Sequence, residues 1–74
     1  MQLQRFTAVI EREGNGYVSL CPELDIASQG DSVEEAKANL TEAIELFFEM
    51  ADDTEIQNRL HTDIFITQLE VAIG

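Results

Sequence analysis

Seventy-four residues make one domain whose thin core buries only about 60% of the unfolded surface, and a formal net charge of −11, fifteen acids against four basic residues, disfavours contact with phosphate backbones. The single cysteine, Cys21, excludes a disulfide framework and fits a reducing compartment, while no apolar run reaches the roughly 18–20 residues of a membrane span. The N-terminal MQLQRFTAVIEREG lacks the cationic start and long apolar stretch of a secretory leader, so a cytoplasmic location is expected.

The first strand is expected from about Gln4 to Arg12, because Phe6, Ala8 and Ile10 alternate with Thr7, Val9 and Glu11. Gly14-Asn15-Gly16 offers left-handed residues for a hairpin, after which Tyr17–Cys21 returns antiparallel. Pro22 removes a ladder donor and ends that strand; the chain turns through Glu23-Leu24 into a short third strand at about Asp25–Gln29. Ser32 with Glu35 three residues on forms a capping box, and Val33, Ala36, Leu40, Ala43/Ile44, Phe47 and Ala51 make one apolar stripe, so a helix should run to about Met50. Asp52-Asp53-Thr54 reads as a stop or loop and Glu55–Leu60 as a further helical turn. From Thr62 to Ala72 the pattern alternates again, Ile64, Ile66 and Gln68 against Phe65, Thr67, Leu69 and Val71, which predicts a fourth strand.

Strands one to three run up, down, up and the helix returns down, so strand four would lie parallel to strand one. The right-handed crossover rule then gives an α+β fold of order β-β-β-α-β, with spatial order 3-2-1-4 and one helix packed on one face. The opposite face, carrying Val9, Tyr17 and Phe65 in this reading, needs solvent-tolerant neighbours or a second subunit.

Little in the chain is suited to catalysis. His61 is the only histidine, with Asp63 two residues away but no second histidine or cysteine pair at metal-ligand spacing. Cys21 sits at the end of a core strand, where a thiol behaves as a small apolar group, and no base accompanies it. Glu34 and Glu35 lie in the first helical turn, where acids favour the helix dipole. Glu42, Glu45 and Glu49 differ, because they stand three and four residues apart, where each like-charge pair costs roughly 0.2–0.5 kcal/mol. Glu49, Asp52 and Asp53 also crowd the end of the helix that favours cations. A locally unfavourable choice of this kind points to a cationic partner.

The order Gly16-Tyr17, Pro22-Glu23-Leu24, Gln29-Gly30-Asp31-Ser32, Glu34-Glu35-Ala36 and Asn39, with Glu42-Ala43 following, resembles the N-terminal domain of the HicB antitoxin family over about half the chain. The resemblance implies a partial RNase H-like sheet with one helix. It also implies a partner, a small basic HicA-type ribonuclease that cleaves messenger RNA through a histidine, which the antitoxin would occlude. Members commonly carry Gly in the turn after Pro-Glu-Leu, where this chain has Asp25-Ile26. Many continue into a ribbon-helix-helix or helix-turn-helix DNA-binding domain; this chain stops at Gly74, so operator binding is not among the expectations.

True RNase H-like nucleases hold two metals with inward carboxylates, one of them in the middle of strand one, and Phe6 to Ile10 contains no acid. The reading is therefore a non-enzymatic antitoxin without cofactors that binds no nucleic acid directly and forms a homodimer or higher oligomer. Its docking residues are expected at the Pro22, Glu23, Leu24 and Asp25 turn and on the acidic face of Glu42, Glu45 and Glu49. The alternative is a HicB-fold domain without a toxin that binds another protein or a ligand, or serves as an oligomeric scaffold.

Overall fold

A computed structural model describes residues 3–74. Strand β1 (Val9–Glu13) reverses through Gly14-Asn15 into β2 (Gly16–Cys21), and β3 (Ile26–Gly30) returns antiparallel on the other side of β2. Gly14 has φ +61° while Asn15 keeps a negative φ, the pattern of the two-residue type II′ turn whose twist matches the flanking strands. The registers Val9↔Leu20, Ile10↔Ser19, Ser19↔Ser28 and Cys21↔Ile26 set the two faces.

Helix α1 (Val33–Met50) covers the face carrying Ser19 and Cys21. Ser32 caps it by accepting from the Glu35 backbone N–H, as the capping pattern requires, and the Glu35 carboxylate in turn accepts from the N–H of Asp31. Cys21, Leu24 and Leu40 form the buried centre, flanked by Phe6, Ile26, Ile44, Phe47, Phe48 and Leu60. The fully buried Ser19 donates its hydroxyl to the Ala36 carbonyl at 2.9 Å, so the one buried hydroxyl of the sheet is satisfied by the helix. No helix among the described residues is long and apolar enough to cross a membrane.

The chain is α+β, with a three-stranded antiparallel sheet and two helices among the described residues. Four expectations change in detail. The first strand begins at Val9 rather than Gln4; continued toward the N-terminus, its register would set Thr7 to Gln4 against the Pro22–Asp25 turn, which offers no ladder. Tyr17 lies on the helix-covered face, since it shares the parity of Ser19 and Cys21; the open face carries Val9, Val18 and Leu20 instead. Asp52-Asp53-Thr54 is a helix start, because the Asp52 carboxylate accepts from the Glu55 N–H at 2.8 Å and caps α2 (Asp53–Arg59). Residues 61–74 form no strand within the single chain, so strand order 1-2-3 is present and the fourth position beside β1 is not filled. Arg59 and His61 tie the root of this segment to the β2–β3 turn, Ile64 is half-buried, and from Phe65 on the large apolar side chains project into solvent.

Candidate functional site

The Pro22–Asp25 turn is mostly occupied by the fold itself. Pro22 fixes φ at the first turn position, and the Leu24 N–H closes the turn on the Cys21 carbonyl. The Leu24 side chain is fully buried, which withdraws it from any docking surface. Asp25 takes φ +55°, the left-handed region where most side chains are strained and where glycine is the natural choice. Arg59 locks the turn from outside by donating to the carbonyls of Leu24 and Asp25 at 2.8 and 3.1 Å, its guanidinium lying 5.8 Å from the centroid of Phe47. The His61 N–H adds a 2.7 Å bond to the Glu23 carbonyl.

The Glu23 carboxylate accepts from the Thr7 N–H at 3.1 Å and from the Thr7 hydroxyl at 2.6 Å, tying the segment before β1 to the turn. Partial burial works to raise its pKa, yet the bonds from Thr7 favour the ionised form and together hold it below the ordinary carboxylate value. Burial pushes the Cys21 thiol up, and its Sγ donates to Glu23 Oε1 at 3.5 Å. A nucleophile needs the opposite shift and access to substrate, whereas Cys21 is fully buried in the core cluster with Leu24 and Leu40. His61 is exposed, and no group of three or more His, Cys, Asp or Glu side chains converges to hold a metal among the described residues.

The acidic face is a different kind of surface. Glu42, Glu45 and Glu49 are all exposed and fall on one side of α1, which has no basic residue in its last turn. Eight of the fifteen acids lie between Glu34 and Glu55, against Lys37 alone in that stretch. Beside these acids stand two apolar side chains that the sequence reading missed, Leu46 at 50% exposure and Met50 at 82%. Their signal was present: they lie four residues apart, off the core stripe of Leu40, Ile44 and Phe47. An apolar pair rimmed by carboxylates can contribute both steering and contact area to a cationic protein partner.

The chain is 39% identical over 68 residues to a UPF0150 protein of Helicobacter pylori (strain J99), a match covering 90% of this chain and 94% of that one. It is 48% identical over 50 residues to a UPF0150 protein of Synechocystis, covering 65% of this chain and 63% of the relative, and 51% identical over 45 residues to a second one from the same organism, covering 58% and 62%. Both Synechocystis matches therefore span less than two thirds of the relative's length. No protein-family model and no solved structure matches the chain significantly.

Proposed function

The chain belongs to the UPF0150 family, and from that premise, the HicB-type order of its motifs and the acidic face of α1, we propose that it is the antitoxin of a type II toxin–antitoxin system that binds and neutralises a small basic HicA-type ribonuclease. The observation that carries this reading is the cluster of Glu42, Glu45 and Glu49 around exposed Leu46 and Met50, a set that costs the free helix stability and offers a cation-binding rim around apolar contacts. The carboxylates speed and orient encounter with the basic partner, and burial of Leu46 and Met50 supplies affinity. Inhibition is by occlusion, so the protein itself needs no reactive group or cofactor. In this reading it acts in the cytoplasm, where the messenger RNA substrate of the toxin lies.

In the same reading the sheet is an RNase H-like one completed by Ile64–Val71 beside β1, giving order 3-2-1-4. The rival reading, an oligomeric HicB-fold domain without a toxin, draws on the exposed apolar side chains from Phe65 to Ile73. The two are separated by co-expressing the protein with a tagged basic protein encoded beside it. The antitoxin reading expects co-purification and rescue of growth; a toxic neighbour that neither co-purifies nor is relieved would overturn it.

A further inference from the structure

Beyond Ile64, the C-terminal residues are the part of the molecule that its own fold does not use. Phe65, Leu69 and Val71 share one side of an alternating pattern and are 89, 82 and 70% exposed. The radius of gyration is 14.5 Å, with a long axis of 50 Å, where a compact domain of this length would have a radius of about 11 Å. An extended, alternating apolar segment in water is a strand without a sheet.

The place for that strand is also visible. A groove runs between the segment before β1 and helix α1, with Phe6 on one wall and Leu40, Ile44 and Phe48 on the other. It adjoins β1, an edge strand whose outer ladder groups have no partner strand among the described residues. The groove also holds two of the chain's four basic residues, Arg5 and Lys37, against the one acid Glu45. Segment 61–74 carries Asp63 and Glu70 and no Lys or Arg. On a chain of net charge −11, the groove is locally cationic and the segment anionic, so the two are complementary in charge.

We propose that residues Ile64–Val71 of one copy lie in this groove of a second copy, so that the protein is a strand-exchanged homodimer with each sheet completed by its partner's chain. Eight residues of strand span roughly 26 Å, more than the roughly 17 Å of the five-residue β1, so the strand can pair along β1 and reach into the groove beside the segment before it. Burying one aromatic and several aliphatic side chains from each copy removes on the order of 400–700 Å² per tail, and with a comparable area of the groove covered each time, two reciprocal insertions clear the roughly 1,000 Å² that a stable interface requires. The open sheet face is a poorer dimer surface, because Glu11 and Glu13 share it with Val9 and would meet their own copies. This inference does not rest on the antitoxin reading and holds or fails separately from it.

Light scattering at tens of micromolar should give about twice the 8.3 kDa chain mass, and Phe65→Asp with Leu69→Asp should weaken the dimer by more than about a hundredfold while leaving the circular dichroism of the body unchanged. A second experiment fixes the geometry. Copies carrying Thr41→Cys and copies carrying Thr67→Cys, unfolded together in urea and refolded, should form a disulfide between different chains under mild oxidant. A monomer at that concentration, or a dimer untouched by the tail substitutions and yielding no mixed cross-link, would overturn the proposal. So would a doubly substituted chain that cross-links only within itself as a monomer.

Discussion

Replacing Gly30 with alanine is expected to be among the most damaging single-methyl changes in the protein. A Cβ at this position would lie 2.5 Å from the Ala36 nitrogen, 2.8 Å from the Glu35 carbonyl carbon and 2.9 Å from Glu35 Cβ, all fixed atoms of the first turn of α1. None can rotate away, so the helix must lift by about 1 Å to restore ordinary contact distances near 3.5 Å. Overpacking of this kind costs about 1–3 kcal/mol. Lifting α1 also strains two bonds that hold it to the sheet, Ser19 Oγ to the Ala36 carbonyl and Asn39 Nδ2 to the Gln29 carbonyl, each contributing about 1 kcal/mol. The combined loss of about 3–5 kcal/mol is a large part of the roughly 4–11 kcal/mol expected for a domain of this size, and corresponds to a fall in Tm of about 15–30 °C. Gly14→Ala is the control: φ is +61° and the space is open, so only the left-handed penalty of about 1–2 kcal/mol applies. Thermal melts of both variants by circular dichroism measure the contrast. If Gly30→Ala melts within about 5 °C of the parent, or no lower than Gly14→Ala, the close strand–helix approach is wrong.

Asp25→Gly should leave stability within about 0.5 kcal/mol of the parent or raise it, because φ +55° suits glycine, whereas Asp25→Val should cost about 2 kcal/mol; urea titration distinguishes them. Glu23→Gln should cost about 1–2 kcal/mol at pH 7 by weakening the charge-assisted bonds from Thr7. Because the folded pKa of Glu23 lies below the ordinary value, this stabilisation is present above the ordinary carboxylate range and is lost as pH falls through the folded value, so parent and variant melts should converge toward acid pH; a gap that stays constant with pH refutes the role. Replacing Glu42, Glu45 and Glu49 together with Gln should leave the fold equally or slightly more stable, slow association with the basic partner and flatten its salt dependence in stopped-flow measurements. An unchanged rate and salt slope would show that this face is merely solvated.

The local elements were legible where chemistry is local. Ser32 and Glu35 mark the start of α1, Gly14-Asn15 marks the first hairpin, and Pro22 marks the end of β2. Features set by partners distant in sequence were not. Nothing near Thr7 announces that Glu23, sixteen residues on, will take its N–H and hydroxyl in the stretch where the alternation expects the first strand already to run. Arg59 reads as an ordinary helix-terminal cation until its bonds to the turn carbonyls thirty-four and thirty-five residues away are seen. The Asp52 cap resembled a stop because an acidic pair after an apolar stripe ends one helix and begins another with the same residues.

The motif behind the HicB resemblance also changes meaning. Gly30 permits the close approach of strand and helix, Leu24 fills the core, Ser32 caps, Ala36 receives the Ser19 hydroxyl, and Asn39 bonds the Gln29 carbonyl. These residues specify a fold. In the second half of α1, Leu46 and Met50 are large apolar side chains left exposed beside Glu42, Glu45 and Glu49.

Inhibition by binding can be measured by titrating the purified protein into an RNA-cleavage assay of the basic protein encoded beside it. Cleavage should fall in proportion to added protein and stop near equivalence, with no cleavage by the protein alone. Cleavage that persists at a tenfold excess would contradict it.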